Sequence, residues 1–327
     1  MLSILNPKDI HILVIGDIML DIYNYGDANR ISPEAPVPVF HSKERKFYLG
    51  GAANTYANLC SIGVNAYLFG VFGNDHNGET LKDMIYSLRG NDSLNCLLEQ
   101  YNLPTISKER IIARSQQIVR VDVEEIKELN GYQVDAFMHI YDHLENRVKG
   151  LDAIIISDYG KGVICKNSME AFRHNPSFFN TSVYVDPYPK HKELYSNAFC
   201  ITPNQKEYDE MGGFAHLMLE QEIGNVIRTE GENGMTVFER HTDYHINTEA
   251  KTVYDVSGAG DTVIAVLAAT KSMGFSLQDA VILANRAAGN VVSKMGTTAV
   301  DPEFIANEIK MASLGGNYGG YYANKSN

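Results

Sequence analysis

Short apolar runs that end in Gly, Asp, Ser or Thr recur along this chain, separated by segments whose apolar residues fall at helical spacing. Residues 11–17 (HILVIGD) read as a central parallel strand, because a strand buried on both faces is apolar at every position rather than at every second one. GGAANTYANLCSIG then puts Ala53, Ala57 and Cys60 on one helical face, and AYLFGVFG follows as a strand. From residue 130 onward helices and strands alternate: a helix to Val148, strand AIIIS, a helix over 167–174, strand SVYVD, strand FCIT and a helix after Pro203. Strands around 226–228, 235–239 and 244–246 precede two helices over 259–273 and 277–294. This alternation predicts an α/β fold, a doubly wound central sheet with helices on both faces.

Two stretches break the pattern. Residues 24–46 are rich in turn formers, with Pro33, Pro36 and Pro38 in RISPEAPVPVF, which suits edge strands projecting from the main sheet. Residues 108–123 read as a hairpin, ERIIA and QIVRVDV joined through 114–116. Together, segments of about 17–47 and 108–123 make a small β lid on one domain spanning 1–312. GGNYGGYYANKSN has no core pattern, so 313–327 reads as a flexible tail.

Composition narrows the classes. With 44% hydrophobic and 21% charged residues the 327-residue chain is an ordinary globule. A net charge of -12 argues against a nucleic-acid partner, which needs a basic face, but leaves room for a local cationic pocket. Cys60, Cys96, Cys165 and Cys200 lie far apart without a Cys-x-x-Cys pair, which points to free thiols rather than zinc or disulfides. No run approaches the roughly 18 apolar residues of a membrane span. The apolar amino end is interrupted by Lys8, Asp9, Asp17 and Asp21 and has no basic segment before it, so it reads as a strand, not a signal. A cytoplasmic protein with no membrane partner is expected.

The chemistry concentrates in VYDVSGAGDTVIAVLAAT, residues 253–270. One reading has Ser257 capping a helix and Asp261 resting against the helix dipole. The other is an anion site: N–H groups at Gly258, Ala259 and Gly260 converge on negative charge, and Asp261 takes a proton from an attacking hydroxyl. Other polar residues close strands where open α/β sheets bind ligands: Asp17 and Asp21, Ser157 and Asp158, Asp186, Thr202 and Asn204, Thr229 and Gly231. Each taken alone can be a cap or a turn. Gly50 and Gly51 allow close backbone approach and Asn54 can read sugar hydroxyls, unless they form only a turn and a cap. Asp17 and Asp21 can accept from polyol hydroxyls. Arg120 and Lys161 can bind a phosphate, with Arg114 and Lys190 in reserve, although a strand Arg is more often a solvated face. Asn204 and Glu207 in TPNQKE can orient a magnesium hydration shell or simply open a helix.

The pairing of Gly50-Gly51 with DVSGAGD at 255–261 resembles the ribokinase-type (PfkB) carbohydrate kinases. GDIMLDIYNYGDANRISPEAPVPVF, GGAANTYANLCSIG, QQIVRVDVEE, SDYGKG, TPNQKE and KMGTTAV are similar, in order from about residue 8 to about 312, to the kinase domains that act on D-glycero-β-D-manno-heptose 7-phosphate. RISPEAPVPV and QQIVRVD carry the narrower likeness; the Gly-Ala-Gly-Asp stretch carries only the superfamily. The resemblance implies a ribokinase-like fold, ATP and Mg2+ as cofactors, a possible monovalent cation, and phosphorylation of the anomeric hydroxyl for ADP-heptose and lipopolysaccharide core synthesis. It implies Asp261 as base and the amides of Gly258, Ala259 and Gly260 as anion hole. Asp17, Asp21, Gly51 and Asn54 match sugar positions; Asn204, Glu207, Thr229 and Gly231 match the nucleotide phosphate side, Glu207 reaching the metal through water; Asn285 matches the adenine pocket. It also implies a homodimer built through the lid. Many relatives carry Lys directly after the Asp-Pro that ends the middle strand, where this chain has Tyr188, with Lys190 two positions on. A nucleotidyltransferase domain follows the kinase in many relatives, so a chain ending at Asn327 is expected to perform the 1-phosphorylation alone. Alternatives are another sugar, sugar-phosphate or nucleoside kinase of this type, or a catalytically silent sugar-phosphate sensor, for which Asp261 would be superfluous. An oxidoreductase would need the Gly-x-Gly-x-x-Gly turn that the first βα unit lacks.

Overall fold

Alternate side chains of the first strand go to opposite cores, and this sets the layers. A computed structural model describes residues 4–89, 95–100, 102–114, 116–248, 253–314 and 322–323. β1 (His11–Gly16) sends Ile12 and Val14 to one face and Leu13 and Ile15 to the other. β2 (Ile18–Ile31) and β3 (Pro38–Gly51) leave the sheet as a long hairpin, and α1 (Ala52–Ile62) brings the chain back to β4 (Asn65–Gly73). After α2 (His76–Arg89) and β5 (Cys96–Gln100), β6 (Ser107–Ala113) and β7 (Gln116–Val123) form the second hairpin. α3 (Gly131–Val148), opened by a capping box of Asn130 and Gln133, leads to β8 (Ala153–Ser157), α4 (Lys166–His174), α5 (Pro176–Asn180) and β9 (Ser182–Asp186). Then come β10 (Cys200–Ile201), α6 (Gln205–Glu210), β11 (Asn225–Thr229), β12 (Met235–Glu239), β13 (Thr242–Ile246), α7 (Ala259–Ser272), α8 (Leu277–Val292), α9 (Pro302–Ser313) and β14 (Tyr322–Ala323).

The main sheet runs β14-β13-β12-β11-β10-β9-β8-β1-β4-β5, parallel from β11 through β5 and antiparallel at the other edge. α1, α7 and α8 cover one face and α3 and α4 the other, so the fold is the mixed α/β arrangement expected, with helices on both sides. α7 lies at the centre of its layer: every residue from Asp261 to Thr270 is buried, which explains why its sequence is apolar all round rather than striped.

The lid is a separate four-stranded sheet, β3-β2-β6-β7. Pro33 and Pro36 fall in the loop between β2 and β3, and Pro38 starts β3, where a missing N–H costs no ladder bond. Of the tail expected at 313–327, Ser313 ends α9, and Tyr322 and Ala323 pair with Ile246 and His245 of β13. Residues 315–321 and 324–327 lie outside the described residues. No described helix is long and apolar enough to cross a membrane.

Candidate active site

α7 begins without a cap. Its N-cap is Gly258, in the left-handed region at φ 78°, and no side chain caps the N–H groups of the first turn. Ser257 does not cap it: its N–H goes to Asp255 Oδ1 at 2.9 Å, and its hydroxyl faces Arg110. Of the amides expected to form the anion hole, that of Ala259 is already bonded to Val256 O at 3.3 Å, whereas the N–H groups of Gly260 and Asp261 have no acceptor among the described residues. An uncapped helix start with free amides is a site for an anion.

Glycine is required at the N-cap for two reasons. A Cβ on Gly258 would need the left-handed backbone and would stand 2.5 Å from Asn54 Nδ2. At Gly260 the nearest atom to such a Cβ is Asp186 Oδ2 at 3.8 Å, so that position is open toward the β9 end.

Asp261 is 2% exposed, and three donors hold its carboxylate. Asn54 donates to Oδ2 at 2.8 Å; Tyr159 and Thr55 donate to Oδ1 at 2.8 and 3.2 Å. Burial pushes its pKa up to about 6, with Asp21 adding to the rise and the three donors opposing it. A carboxylate poised near neutrality beside free amides can accept a proton while the amides hold developing negative charge.

Several expected residues take other work. Asp17 gives both oxygens to the backbone, accepting from Tyr159 and Lys161 N–H at 2.9 Å each and from Val163 N–H at 3.1 Å. It anchors the loop after β8, and burial first, then Asp158, raises its pKa to about 6. Asn54 likewise spends its amide on Asp261, which leaves sugar reading to other groups. Asp21 does face the cleft, bonded by Arg110 Nη1 at 2.5 Å and by Thr297 Oγ1 at 3.1 Å. Gly50 and Gly51 leave room for Asp21 and Asp17: a Cβ at Gly50 would stand 2.6 Å from Asp21 Oδ2, and one at Gly51 2.4 Å from the Asp17 carbonyl.

The cations are rearranged as well. Arg120 is exposed and closes on Asp122 of its own strand at 2.8 Å, and Lys161 Nζ lies 2.6 Å from Glu124. Arg114 sits at the hairpin tip against Asn29, and Lys190 lies over the Tyr188 ring. The groups that reach inward are Lys108 and Arg110, two residues apart on β6 and therefore on one face. Arg110 lies over the Tyr23 ring, 5.0 Å from its centroid, and Lys108 lies 5.6 Å from that of Tyr159. Burial lowers the Lys108 pKa, and the nearby charges of Arg120 and Lys161 lower it further. For Arg110 burial opposes the charge, but Asp21 outweighs it and raises the pKa. Four cations thus surround one corner of the lid. Only alternation on a strand whose inner face was known could have selected Lys108 and Arg110 from the sequence.

On the far side of the α7 start, a cavity of about 380 Å³ is lined by Thr229, Gly231, Val256, Ala259, Gly260 and Asn285. Three expected nucleotide residues therefore line one cavity with Gly260. Asn285 donates to Asn247 O at 2.8 Å and so fixes the cavity's far wall. Asn204 bridges to Thr229 and forms a capping box with Glu207, whose Oε2 accepts the Asn204 N–H at 2.8 Å. The helix-opening reading of this pair is realised, and the other Glu207 oxygen has no protein hydrogen bond among the described residues. Burial raises the Glu207 pKa. Asp186, raised well above the usual carboxylate range by burial and then by Asp261 and Glu207, stands between Glu207 and the α7 start. No three described His, Cys, Asp or Glu side chains are close enough to hold a metal directly.

Residues 9–303 match the family described as "pfkB family carbohydrate kinase". The chain belongs to the pfkB family. It is 37% identical over 311 residues to "Bifunctional protein HldE" of Vibrio cholerae serotype O1, covering 91% of this chain and 63% of that protein. The chain thus spans less than two thirds of the length of such relatives. Among solved structures, phosphofructokinase-2 from Escherichia coli superposes with a TM-score of 0.72 at 14% identity, covering 93% of this chain and 99% of that one. Ribokinase from Arabidopsis thaliana, solved with ribose and ATP, gives 0.68 at 16%, again covering 93% and 99%. These likenesses establish the ribokinase-like fold, in which a pfkB chain carries Asp261, the uncapped helix and the lid cations at one cleft.

Proposed function

We propose that the chain transfers the γ-phosphoryl group of ATP to the anomeric hydroxyl of D-glycero-β-D-manno-heptose 7-phosphate, giving the 1,7-bisphosphate. The observation that carries this reading is Asp261 beside the free N–H groups of the α7 start, between a nucleotide-sized cavity and a cationic lid. In this mechanism the sugar hydroxyl lies against Asp261, which takes its proton as oxygen attacks phosphorus. The amides of Gly260 and Asp261 hold the transferring phosphoryl oxygens, and Gly258 lets the chain turn so that they point at it. Glu207, with Asp186 behind it, would hold magnesium through water; the ion would neutralise charge on the ATP phosphates. Asp21 accepts from a sugar hydroxyl, as Arg110 and Thr297 orient it.

The sugar's own phosphate is the reason to favour a phosphorylated heptose over a free sugar. Lys108 and Arg110, with Arg120 and Lys161 around them, supply in an acidic protein the local positive charge that a dianion needs. The RISPEAPVPV and QQIVRVD segments, whose likeness is to heptose-phosphate kinases, build this same lid, and the HldE-named relatives support the assignment. The deciding experiment incubates the chain with ATP and magnesium against a panel of sugar phosphates and free sugars, following ADP release and product mass. Preference for heptose 7-phosphate over the free heptose is expected. Equal use of both, or preference for a hexose phosphate, would replace this substrate with another of the pfkB class; absence of ADP release with every sugar favours a silent sensor.

A further inference from the structure

Tyr159 was not among the residues the sequence singled out, yet it links more of the cleft than any of them. Its backbone N–H bonds Asp17 Oδ2 at 2.9 Å, and its hydroxyl donates to Asp261 Oδ1 at 2.8 Å. One residue, through its backbone and its side chain, therefore links the end of β1 to the start of α7. Its ring edge packs on Gly51, where a Cβ would stand 3.4 Å from Tyr159 Cε2, and Lys108 of the lid lies over its face. The loop that carries it is braced from behind: Tyr195 and His191 hold Asp158 at 2.6 and 2.7 Å, and the Tyr188 ring fills the space beside Gly160. The Tyr188 ring thus supports the Tyr159 turn.

We propose that Tyr159 is a positioning residue for Asp261, its phenol fixing the carboxylate's orientation and basicity and its ring reporting the position of lid residue Lys108 to the base. This rests on the reading of Asp261 as general base. The groups facing Asp261 are Asn54 and Thr55 from α1, Asp21 of β2 with its partner Arg110, Asp186 of β9 and Tyr159 itself. Of the two donors on Oδ1, Tyr159 makes the shorter bond, so it fixes which lone pair remains for a sugar hydroxyl. A hydroxyl donating to a carboxylate stabilises the charged form and weakens the base, so removing it makes Asp261 harder to ionise. When a sugar phosphate engages Lys108, the cation over the ring is drawn toward the phosphate, and the contact that holds the ring loosens as the acceptor hydroxyl arrives.

The test titrates the Asp261 carboxyl directly, by carbon-13 NMR of aspartate-labelled protein, identifying its resonance as the one missing from Asp261→Asn. Tyr159→Phe keeps the ring and is expected to raise the midpoint by about one pH unit, the effect of losing one charge-assisted hydrogen bond. A monofluorinated tyrosine at 159 is a stronger donor and is expected to move the midpoint down. The acid limb of turnover against pH should follow in the same two directions with the KM for ATP unchanged. A midpoint unmoved in both proteins, each shown to melt as the parent does, overturns the proposal. A midpoint that moves while the acid limb does not supports the tuning and overturns the general-base reading instead.

Discussion

Asp261 shows how one residue trades stability for chemistry. Its pKa is raised from 3.8 to about 6, chiefly by burial, so the folded state binds this proton more tightly than the unfolded chain does. Its contribution to stability, about 1–3 kcal/mol, is therefore full below about pH 4, declines as pH rises, and is lost above about pH 6. Asp261→Asn should thus melt higher than the parent at pH 7 to 8, while turnover falls about 10²- to 10⁴-fold. Calorimetry and steady-state kinetics on one preparation check both signs; near-normal turnover would make Asp261 a first-turn residue and nothing more. In the parent, turnover should fall as pH drops through about 6, because the protonated carboxyl cannot act as a base. The sequence singled out this residue directly after Gly-Ala-Gly, with a first-turn position against the helix dipole as its other reading. It did not announce Tyr159, whose role depends on a loop that Asp17 folds over the site from a different strand.

At the scale of elements, the proposed function divides the binding of two phosphates between the α7 start and the β6 strand. Gly260→Ala should fold, since the added methyl has open space toward Asp186, yet it would sit among the amides offered to the phosphoryl group. Gly258→Ala is strained at its backbone and collides with Asn54, so it should lose stability as well. The expected result is reduced turnover in both but a lowered melting temperature only in Gly258→Ala; a fully active Gly260→Ala would show that phosphate does not approach these amides. On β6, Lys108→Met should weaken the sugar phosphate about 10- to 150-fold in apparent affinity and leave ATP nearly unchanged, as loss of one charge-assisted contact implies. Arg110→Ala should do the same and also free Asp21. Comparable losses for ATP would move these cations to the nucleotide side. Arg120→Ala should have a smaller effect, because its side chain is 48% exposed and closes on Asp122 of its own strand. The strands themselves were legible, since their apolar runs and bounding turns are local. Which cation faces the cleft was not, because alternation gives two faces and only the packing of β2 against the core decides between them.

For the whole molecule the order of elements was readable from the apolar pattern, but not the sheet's second edge, where β14 joins β13 from a stretch with no core pattern of its own, nor the relation of the lid to anything outside the chain. The lid ends in β7, an edge strand whose eight residues are all exposed. Val119, Val121 and Val123 alternate along it on the face opposite Arg120, at 48%, 47% and 43% exposure. An unpaired edge lined by β-branched side chains is an adhesive surface that a lone chain normally blunts with charge or proline. Arg120 and Asp122 lie on the other face and neutralise each other, so they do not protect this one. A second copy of the chain, pairing lid to lid, would cover the valines and place its own β7 beside the cationic corner. A dimer of this kind would tie substrate binding to assembly. Val121→Asp puts a buried charge at the centre of such an interface and should convert a dimer to a monomer in sedimentation velocity while leaving the melting of the main domain nearly unchanged. If the lid is completed across the interface, the monomer should also bind the sugar phosphate more weakly, with ATP affinity retained. A parent that sediments as a monomer at micromolar concentration, with Val121→Asp binding sugar phosphate normally, would leave the lid a purely intramolecular cover.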